Sequence, residues 1–400
     1  MYGFLGLVAL LIYYVLHHYP DGPPKYNGMA RGLPKPATNA YVDIKFPKRQ
    51  LDPIGRENAT MVMLVRNEEL EGALESIRSL EDRFNRQYHY PWVFLNDVPF
   101  TEEFKERTLL MVSGEAFYEN IPRDDWNTPD WIDTHKYEQA INQLMAQGVL
   151  YGWSKLYRNM CRFNLGFFYK QLRLQDYKYY FRVEPDVEYM CDFQYDPFRV
   201  MREQNKQYGF VIAIHEFENT IPSLWPTVEK FMEDHPELIH PNNSLEYITS
   251  HEPEMKQGFT PPEISSRYNL CHFWSNFEIG DLDFFRSDAY NTYFDYLDAT
   301  GNFYYERWGD APVHLIAVNL LMDKNRVHHF EDIGYFHIPY MSCPLLETIR
   351  MQKRCVCKAY VQGKRITELI DTKFHLCLPR WWRYGAGKSF KNQWNYEYNR

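Results

Sequence analysis

The sequence predicts an α/β fold in which a mixed, mostly parallel sheet is flanked by helices. Apolar strand-like segments alternate with segments whose apolar residues recur at helical spacing. Aromatic and β-branched residues dominate the stretch 179–184, which predicts a buried central strand. Polar and acidic residues follow directly after several of the strands. Because strands that alternate with helices are joined by right-handed crossovers, we expect mainly parallel neighbours.

The first half of this sheet is predicted from residue 59 onwards. Residues 59–65 form an apolar strand. A helix then begins at Glu68, whose carboxylate lies near the positive, N-terminal end of the helix dipole. Strands at 91–95 and 115–119 follow, with a helix that begins at Thr101 between them. The apolar face of the first helix consists of Leu70, Leu74, Ile77, Leu80 and Phe84.

The second half contains the central strand and a larger number of helices. Another strand is predicted at 209–214, and the adjacent His328 and His329 suit a strand that exposes opposite faces. Helices are predicted at 133–147, 154–171, 224–233, 288–297 and 310–322.

Three carboxylates follow the central strand. Pro185 cannot donate to a sheet ladder, so the strand should stop near Glu184 and leave Glu184, Asp186 and Glu188 on the loop beyond it. In open α/β sheets ligands bind at this edge. An oxygen-rich cluster suits Mn²⁺ or Mg²⁺ held together with substrate phosphates. These residues alone are equally consistent with a solvated acidic turn.

Composition narrows the class of protein. Hydrophobic residues make up 45% of the chain, which is enough for a sizeable core. The formal net charge of −9 argues against a large basic field that could neutralise phosphates, so we expect no nucleic-acid partner. Aromatic residues reach 17%, and flat amphipathic rings of this kind occur in sugar-binding clefts as well as in cores.

Seven cysteines are present. Cys355 and Cys357 lack the second close pair that a tetrahedral zinc site requires. If the chain is lumenal, we expect two or three disulfides and at least one free thiol. The pairing is left open.

Five short segments occur in one order and together resemble the fungal Golgi α-1,2-mannosyltransferases of glycosyltransferase family 15. The resemblance extends over roughly residues 55 to 345 and more loosely over the tail. The segments are 61–68 (MVMLVRNE), 151–163 (YGWSKLYRNMCRF), 182–187 (RVEPDV), 276–281 (NFEIGD) and 336–340 (FHIPY).

The resemblance implies a GT-A-like nucleotide-sugar transferase fold and a retaining reaction. Mannose would pass from GDP-mannose to a mannosyl hydroxyl of an O- or N-linked glycoprotein glycan, forming an α-1,2 link. Two alternatives stay open. One is a mannosyltransferase of the same fold that makes another linkage or a mannosylphosphate product, and the other is a catalytically silent, glycan-binding Golgi subunit.

Metal and donor residues follow from the same resemblance. Glu184 stands where related enzymes bind the metal, with Asp186 behind it in the donor site. The resemblance makes His337 the second ligand of Mn²⁺, although a lone His among apolar residues is usually a core side chain. Arg66, at the end of the first strand, would meet the nucleotide.

Glu278 lies between Phe277 and Ile279 on an apparent strand. Burying an unpaired charge is costly, so the residues alone predict an ion pair with Arg286 or with another cation. The resemblance instead places Glu278 beside the anomeric carbon, as the nucleophile of a covalent route or as a stabiliser of the oxocarbenium-like centre. A front-face route, with the acceptor on the leaving-group side, competes with the covalent one.

Two further candidates lie in or before predicted helices. Tyr157 would be a core residue by default, but the resemblance maps it to the active site, where its phenol could donate a hydrogen bond to a diphosphate oxygen or orient the sugar. Asp310 is either a helix N-cap or an acceptor-hydroxyl contact.

The N-terminus is predicted to carry an anchor and a stem. The charge-free apolar run at 3–16 is shorter than the roughly 20 residues that span a bilayer. We interpret residues 1–19 as a short signal anchor rather than a cleaved signal, and 20–54, rich in Pro, Gly, Asn and Lys, as a stem. Residues 55–400 would form the catalytic domain, including a basic, Cys-containing tail. The resemblance implies a single-pass type II protein of the Golgi membrane with a lumenal catalytic domain.

Overall fold

A seven-stranded sheet lies at the centre of the computed structural model. The structure describes residues 55–250, 267–344, 346–357, 360–361, 364–365 and 377–386. The strands of this sheet are β1 (Ala59–Leu64), β2 (Trp92–Asn96), β3 (Ala116–Asn120), β4 (Tyr179–Arg182), β6 (Tyr208–Phe210), β9 (Glu278–Asp281) and β10 (Val327–His329). Their order across the sheet is β10-β6-β9-β4-β1-β2-β3.

Smaller sheets flank the large one. Their strands are β5 (Glu188–Tyr189), β7 (Ala213–His215), β8 (Cys271–Phe273), β11 (Tyr335–His337), β12 (Tyr340–Ser342), β13 (Tyr360–Val361) and β14 (Lys364–Arg365). β11 pairs with both β12 and β5, β7 pairs with β8, and β13 pairs with β14, in each case antiparallel.

The helices that pack on these sheets fall into two sets. The longer ones are α1 (Leu70–Leu80), α2 (Glu102–Met111), α3 (Thr134–Ala146), α4 (Lys155–Gly166), α5 (Pro197–Glu203), α6 (Leu224–Asp234), α7 (Asp288–Asp298), α8 (Asp310–Leu321) and α9 (Cys377–Tyr384). Short helices occur at Arg86–Tyr88, Arg123–Trp126, Leu245–Thr249, Leu282–Phe285, Asn302–Tyr305 and Glu347–Gln352.

The prediction of a mixed, mostly parallel sheet is confirmed. β1 pairs in parallel with β2 and β4, β2 with β3, and β6 with β10. Only β9 runs against its two neighbours within this sheet. Because β9 is antiparallel to β4, its first residue pairs with the last residue of β4, which places Glu278 beside Arg182. This register brings two charged side chains to the edge where parallel strands end.

Alternation along the strands separates two hydrophobic cores. Phe181 and Ile279 face the core formed with α1, α2 and α5. Tyr180 and Tyr208 face the opposite core, which includes α3, α4, α7 and α8. Since side chains two residues apart share a face, Arg182 points to the same side as Tyr180. The charged edge therefore opens toward α4 and α8.

Two element predictions are wrong in their extent. The single strand predicted at 209–214 is divided between β6 in the large sheet and β7 in a two-stranded one. The helix predicted at 154–171 ends as α4 at Gly166, where the ring of Phe294 occupies the space that a Cβ would fill. Short 3₁₀ turns carry the chain onward from there to residue 176.

The cysteine prediction is confirmed at its upper count. Disulfides join Cys191 to Cys355, Cys271 to Cys377 and Cys343 to Cys357, and Cys161 is a buried free thiol. Bridges of this kind are typical of an oxidising compartment.

Within the described part of the chain, no helix has the length and apolarity needed to cross a bilayer. The anchor predicted at 1–19 and the stem predicted at 20–54 lie outside the described residues.

Candidate active site

Arg182 is the centre of a charged cluster at the end of β4. Its Nε and one terminal nitrogen contact Glu184 Oε1 at 2.7 and 2.6 Å, and its other terminal nitrogen donates to Asp310 Oδ2 at 2.6 Å. Glu278 Oε1 lies 3.8 Å from that second nitrogen. Only 11% of the Arg182 side chain is exposed. One guanidinium thus joins three of the carboxylates that the sequence singled out.

Asp310 reaches this cluster from the first residue of α8. The N-cap of α8 is Gly309, so the interpretation of Asp310 as an N-cap is wrong. Its carboxylate instead accepts hydrogen bonds from Arg182 and, at 3.0 Å, from the hydroxyl of Ser275. Asp310 is buried. Its side chain is therefore turned into the cleft rather than back onto its own helix.

Glu278 is more deeply buried than any other carboxylate of the cluster, with 1% of its side chain exposed. Tyr180 donates to Oε1 at 2.8 Å and Tyr208 donates to Oε2 at 2.9 Å. Arg286 is not the cation beside Glu278, because its guanidinium binds backbone carbonyls and lies beside Asp283. The cation is Arg182, 3.8 Å away, and the two phenols supply hydrogen bonds in addition.

His314 on α8 completes the environment of Glu278. Its Nδ1 lies 3.3 Å from Glu278 Oε2, and its Nε2 lies 3.1 Å from the carbonyl oxygen of Asn164. Both ring nitrogens therefore face acceptors, and both contacts are favourable only when each nitrogen carries a proton. The geometry favours an imidazolium that donates to the Glu278 carboxylate.

Both deeply buried carboxylates are held in the ionised form. Burial raises the pKa of Glu278, but His314, Arg182 and the Tyr180 hydroxyl lower it by more than burial raises it. The pKa of Glu278 therefore lies below its ordinary value. Burial likewise raises the pKa of Asp310, and Arg182 and His314 more than offset it. With Glu184, three carboxylates face one guanidinium. The cluster concentrates negative charge at the edge of the sheet.

Tyr157 lies at the N-terminal end of α4, beside the charged cluster. Its ring stacks on Tyr151, with 4.9 Å between centroids and 9° between planes, and the guanidinium of Arg307 lies 5.0 Å from its centroid. Burial raises the pKa of Tyr157 well above the ordinary value for a phenol. The side chain is therefore a neutral hydroxyl, able to donate a hydrogen bond.

Glu216, which directly follows β7, borders the same hydroxyl. A Cβ built on Gly309 would lie 3.6 Å from Glu216 Oε2 and 3.7 Å from the Tyr157 hydroxyl. Arg307 lies 3.6 Å from Glu216 Oε1. The absence of a side chain at Gly309 keeps this space open between the two polar groups.

His337 ends β11, in the small sheet that continues from the loop after Glu184. Phe336 pairs with Glu188, four residues beyond Glu184. The His337 ring packs edge-on against Trp274 with 5.1 Å between centroids. Because side chains alternate along a strand, His337 points away from Phe336. The imidazole is only partly buried, unlike the core histidine that its apolar neighbours suggest.

Asp186 is separated from Glu184 by the path of the backbone. Its φ of 60° and the hydrogen bond from its N–H to the carbonyl of Gly72 (3.1 Å) turn the side chain onto α1. Gly72 has no room for a Cβ because the Asp186 carboxylate fills that space. Asp186 and Glu188 both line a groove of about 770 Å³ along α1. The three acids predicted to form one group are therefore divided, with Glu184 at Arg182 and the other two in the groove along α1.

Arg66 lies at the same edge of the sheet but at its surface. It follows β1, whose Val62 pairs with Arg182, so Arg66 lies beyond the charged cluster. Its side chain, 47% exposed, contacts Glu69 at 2.7 Å and Glu68 at 3.6 Å. The structure brings Glu184, Glu278 and Asp310 together, and leaves Arg66 at the rim.

Four residues of the site are not among the candidates that the sequence predicts, namely Arg182, Glu216, Arg307 and His314. An arginine within an otherwise apolar strand was the available indication for Arg182, since buried charges need partners. Glu216 follows a strand in the way that Glu184 does. The roles of Arg307 and His314 depend on contacts between distant segments.

A small cavity adjoins the buried carboxylate. It has a volume of about 20 Å³, enough for one water molecule, and Asn164, Arg182 and Glu278 are among its lining residues. Space of this size does not admit a sugar ring.

The chain is similar in sequence to fungal mannosyltransferases. The chain is 54% identical over 336 residues to the probable mannosyltransferase YUR1 of Saccharomyces cerevisiae, which covers 84% of this chain and 77% of the relative. It is 48% identical over 359 residues to the α-1,2 mannosyltransferase KTR1 of the same yeast, covering 88% and 87%.

Solved structures share the GT-A-like fold. The core-mannan synthase A of Aspergillus fumigatus, in its Mn/GDP form, superposes with a TM-score of 0.75 at 40% identity, covering 83% of this chain and 86% of that one. The S. cerevisiae mannosyltransferase Ktr4p in complex with GDP gives a TM-score of 0.76 at 37% identity, covering 84% of each chain. Residues 27–384 match the family described as glycolipid 2-alpha-mannosyltransferase, glycosyltransferase family 15, and the chain belongs to that family.

Proposed function

We propose that this protein is a retaining α-1,2-mannosyltransferase that moves mannose from GDP-mannose to a mannosyl hydroxyl of a glycan. The observation that carries the proposal is the cluster of Arg182, Glu184, Glu278 and Asp310 at the carboxyl edge of the sheet. Its excess negative charge suits both a divalent cation and a sugar that becomes positively charged during transfer. Family membership supplies the donor and the linkage.

The donor set near β4 fits Mn²⁺. Glu184 offers a carboxylate that is 23% exposed, and His337 offers a partly exposed imidazole on the strand that pairs with Glu188. A carboxylate, an imidazole and phosphate oxygens form a suitable ligand set for this ion. When bound, the ion neutralises the charge that develops on the departing diphosphate. Arg182 holds one oxygen of Glu184 and so fixes its orientation.

Glu278 suits an electrostatic role in this reaction. Oε1 accepts from Tyr180, and Oε2 accepts from Tyr208 and faces His314. A carboxylate held by these donors loses nucleophilic strength but keeps its charge. We propose that Glu278 remains an anion that stabilises the oxocarbenium-like centre, and that the front-face route operates. The proton of the acceptor hydroxyl then passes to the leaving phosphate oxygen as the new glycosidic bond forms.

Tyr157 and Asp310 would position the two substrates. The phenol of Tyr157 is neutral because burial raises its pKa, so it can donate to a phosphate or sugar oxygen. The Asp310 carboxylate can accept a hydrogen bond from a sugar hydroxyl that enters the cleft. Asp186, which points onto α1, would act on the donor site only through the loop that it shares with Glu184. Arg66 would contact the nucleotide from the rim.

We also propose that the enzyme acts in the Golgi lumen, held there by a segment within residues 1–19. The three disulfides are consistent with a lumenal catalytic domain. The acceptor would then be a mannosylated glycoprotein glycan.

Transfer can be tested with the purified chain, GDP-mannose and methyl α-mannoside, with Mn²⁺ or with a chelator. The proposal predicts a Mn²⁺-dependent disaccharide that α-1,2-mannosidase cleaves. A disaccharide that resists this mannosidase would contradict the linkage. Donor binding without any product would instead favour a silent glycan-binding subunit.

A further inference from the structure

Large apolar side chains are exposed in a group beside Tyr157. In the segment 150–156, between α3 and α4, Leu150 and Trp153 are each 63% exposed, Leu156 is 49% exposed and Tyr151 is 45% exposed. Single exposed apolar residues are common, but a contiguous group usually marks an interaction site. Four exposed apolar side chains within seven residues therefore indicate a binding surface.

This group is continuous with the proposed active site. Tyr151 stacks face to face on Tyr157, and Tyr157 in turn carries Arg307 on its ring. Phe217, 61% exposed, directly follows Glu216, whose carboxylate shares the space above Gly309 with the Tyr157 hydroxyl. Exposed aromatic rings therefore occur on two separate segments, and both segments lie beside Tyr157.

The backbone holds the 150–156 segment in a defined conformation. Tyr151 has a φ of 58°, in the left-handed region that a bulky residue seldom adopts. Ser154 donates to the carbonyl of Tyr151 at 3.0 Å, and Gly152 donates to that of Val149 at 2.9 Å. The buried guanidinium of Arg158 donates to the carbonyls of Gly152 and Ser154 at 3.0 and 2.9 Å. The exposed rings thus rest on a fixed turn.

The chemistry of this surface fits a neutral ring with an apolar face. Its side chains are aromatic or aliphatic, and the amino group of the intervening Lys155 lies 5.5 Å from the ring of Tyr137 on α3. Hexopyranoses present C–H faces that stack on flat aromatic rings while their hydroxyls stay in water.

We propose that Tyr151, Trp153 and Phe217 form a subsite for the sugar that precedes the acceptor mannose, so that the preferred acceptor is an α-linked chain of two or more mannoses. This inference rests on the proposed transferase function and specifies its acceptor. The subsite lies next to Tyr157. When the sugar that precedes the acceptor mannose stacks on the exposed rings, the acceptor hydroxyl therefore lies at the charged cluster.

The test compares methyl α-mannoside with methyl α-1,2-mannobioside as acceptors for the full chain. We expect the KM for the disaccharide to be about fivefold lower than that for methyl α-mannoside, because one stacking contact with an aromatic ring improves binding by about that factor. Trp153→Ala should remove most of that advantage. Trp131→Ala is a matched control, because Trp131 is 52% exposed but precedes the N-terminal end of α3. Gly152 packs on Leu144 near the other end of that helix, about 20 Å away.

Equal KM values for the two acceptors in the wild type would overturn the subsite while leaving the transferase function intact. The subsite would also be overturned if Trp131→Ala changed the ratio as much as Trp153→Ala does. If neither acceptor is extended, the proposed function fails, and titration of the mannobioside followed by tryptophan fluorescence still tests the subsite. Mannobioside binding that Trp153→Ala weakens supports the subsite. Binding that is absent, or that Trp153→Ala does not change, contradicts the subsite, and this is the result expected if the surface docks a protein.

Discussion

The interior and the rim of the proposed site are built differently. In the interior, Glu278 and Asp310 are buried on regular elements, and their oxygens accept hydrogen bonds from donors on other elements. At the rim, Arg66, His337 and Trp153 lie at strand ends or in turns and are substantially exposed or only partly buried. Charges that must be in place before the reaction are fixed by the fold, whereas groups that meet ligands remain accessible to them.

The largest effect is expected from Arg182→Met, which removes the cation of the interior. Breaking a buried ion pair by removing one partner costs about 3–5 kcal/mol, and here Glu184 and Asp310 would both lose the guanidinium that pairs with them. Transfer should be abolished and the melting temperature should fall, as measured by calorimetry. Arg202→Met is the control, because Arg202 is 51% exposed and its pair with Glu57 is at the surface. An unchanged melting temperature for Arg182→Met would contradict this view of the interior.

The next effect concerns Glu184, which lies at the boundary between interior and rim. Glu184→Ala should lower transfer by about a thousandfold, since it removes the carboxylate proposed to hold Mn²⁺. Mn²⁺ titration followed by electron paramagnetic resonance in the presence of GDP should show weaker binding. Asp186→Ala is the matched comparison, and its effect should be much smaller because Asp186 points onto α1. Equal losses for the two variants would show that Asp186 acts directly on the metal.

A smaller effect is expected from Tyr157→Phe, which keeps the ring stacked between Tyr151 and Arg307 and removes only the hydroxyl. Loss of one positioned hydrogen bond in a transition state typically costs about a hundredfold in kcat. The melting temperature should stay close to that of the wild type. A variant with full activity would exclude the phenol from the reaction.

The smallest effect, and the one that reports on charge, is the pH dependence of stability in Glu278→Gln. The folded pKa of Glu278 lies below its unfolded value of about 4.3, so its ionised form stabilises the fold above that pH. This contribution is lost as the pH falls through the folded pKa. The free energies of unfolding of wild type and Glu278→Gln should therefore differ by about 2 kcal/mol near pH 7. A difference that grows on acidification, rather than shrinking, would contradict an ionised Glu278.

The residues of the interior can be picked out in the sequence, but their contacts with one another cannot. The apolar stretch before Glu184 and the carboxylate of Glu278 between two apolar residues were both visible in the pattern, because strands alternate and buried charges stand out. Their proximity depends on β9 running antiparallel within a parallel sheet. No local pattern determines that register, so the sequence predicts a cation beside Glu278 but names only Arg286, a few residues away, and not the partners on β4, β6 and α8.

The rim was harder to predict for a different reason. The positive φ of Asp186 reverses the direction of a side chain within the acidic loop, and a single residue's torsion is not encoded in composition or periodicity. The stack of Tyr151 on Tyr157 likewise depends on a left-handed residue in a turn. Family resemblance supplied candidates at the rim, including His337, that the residues alone would have assigned to the core.

The most direct test of the central claim is to follow the anomeric signals of GDP-mannose and methyl α-mannoside by proton NMR, with the wild type and Arg182→Met. We expect the wild type with Mn²⁺ to form a disaccharide, and we expect the first disaccharide detected to be the α-anomer linked at O2. Arg182→Met should form none. A β-linked first product would contradict retention, and full activity of Arg182→Met would show that the charged cluster at the end of β4 is not the site of transfer.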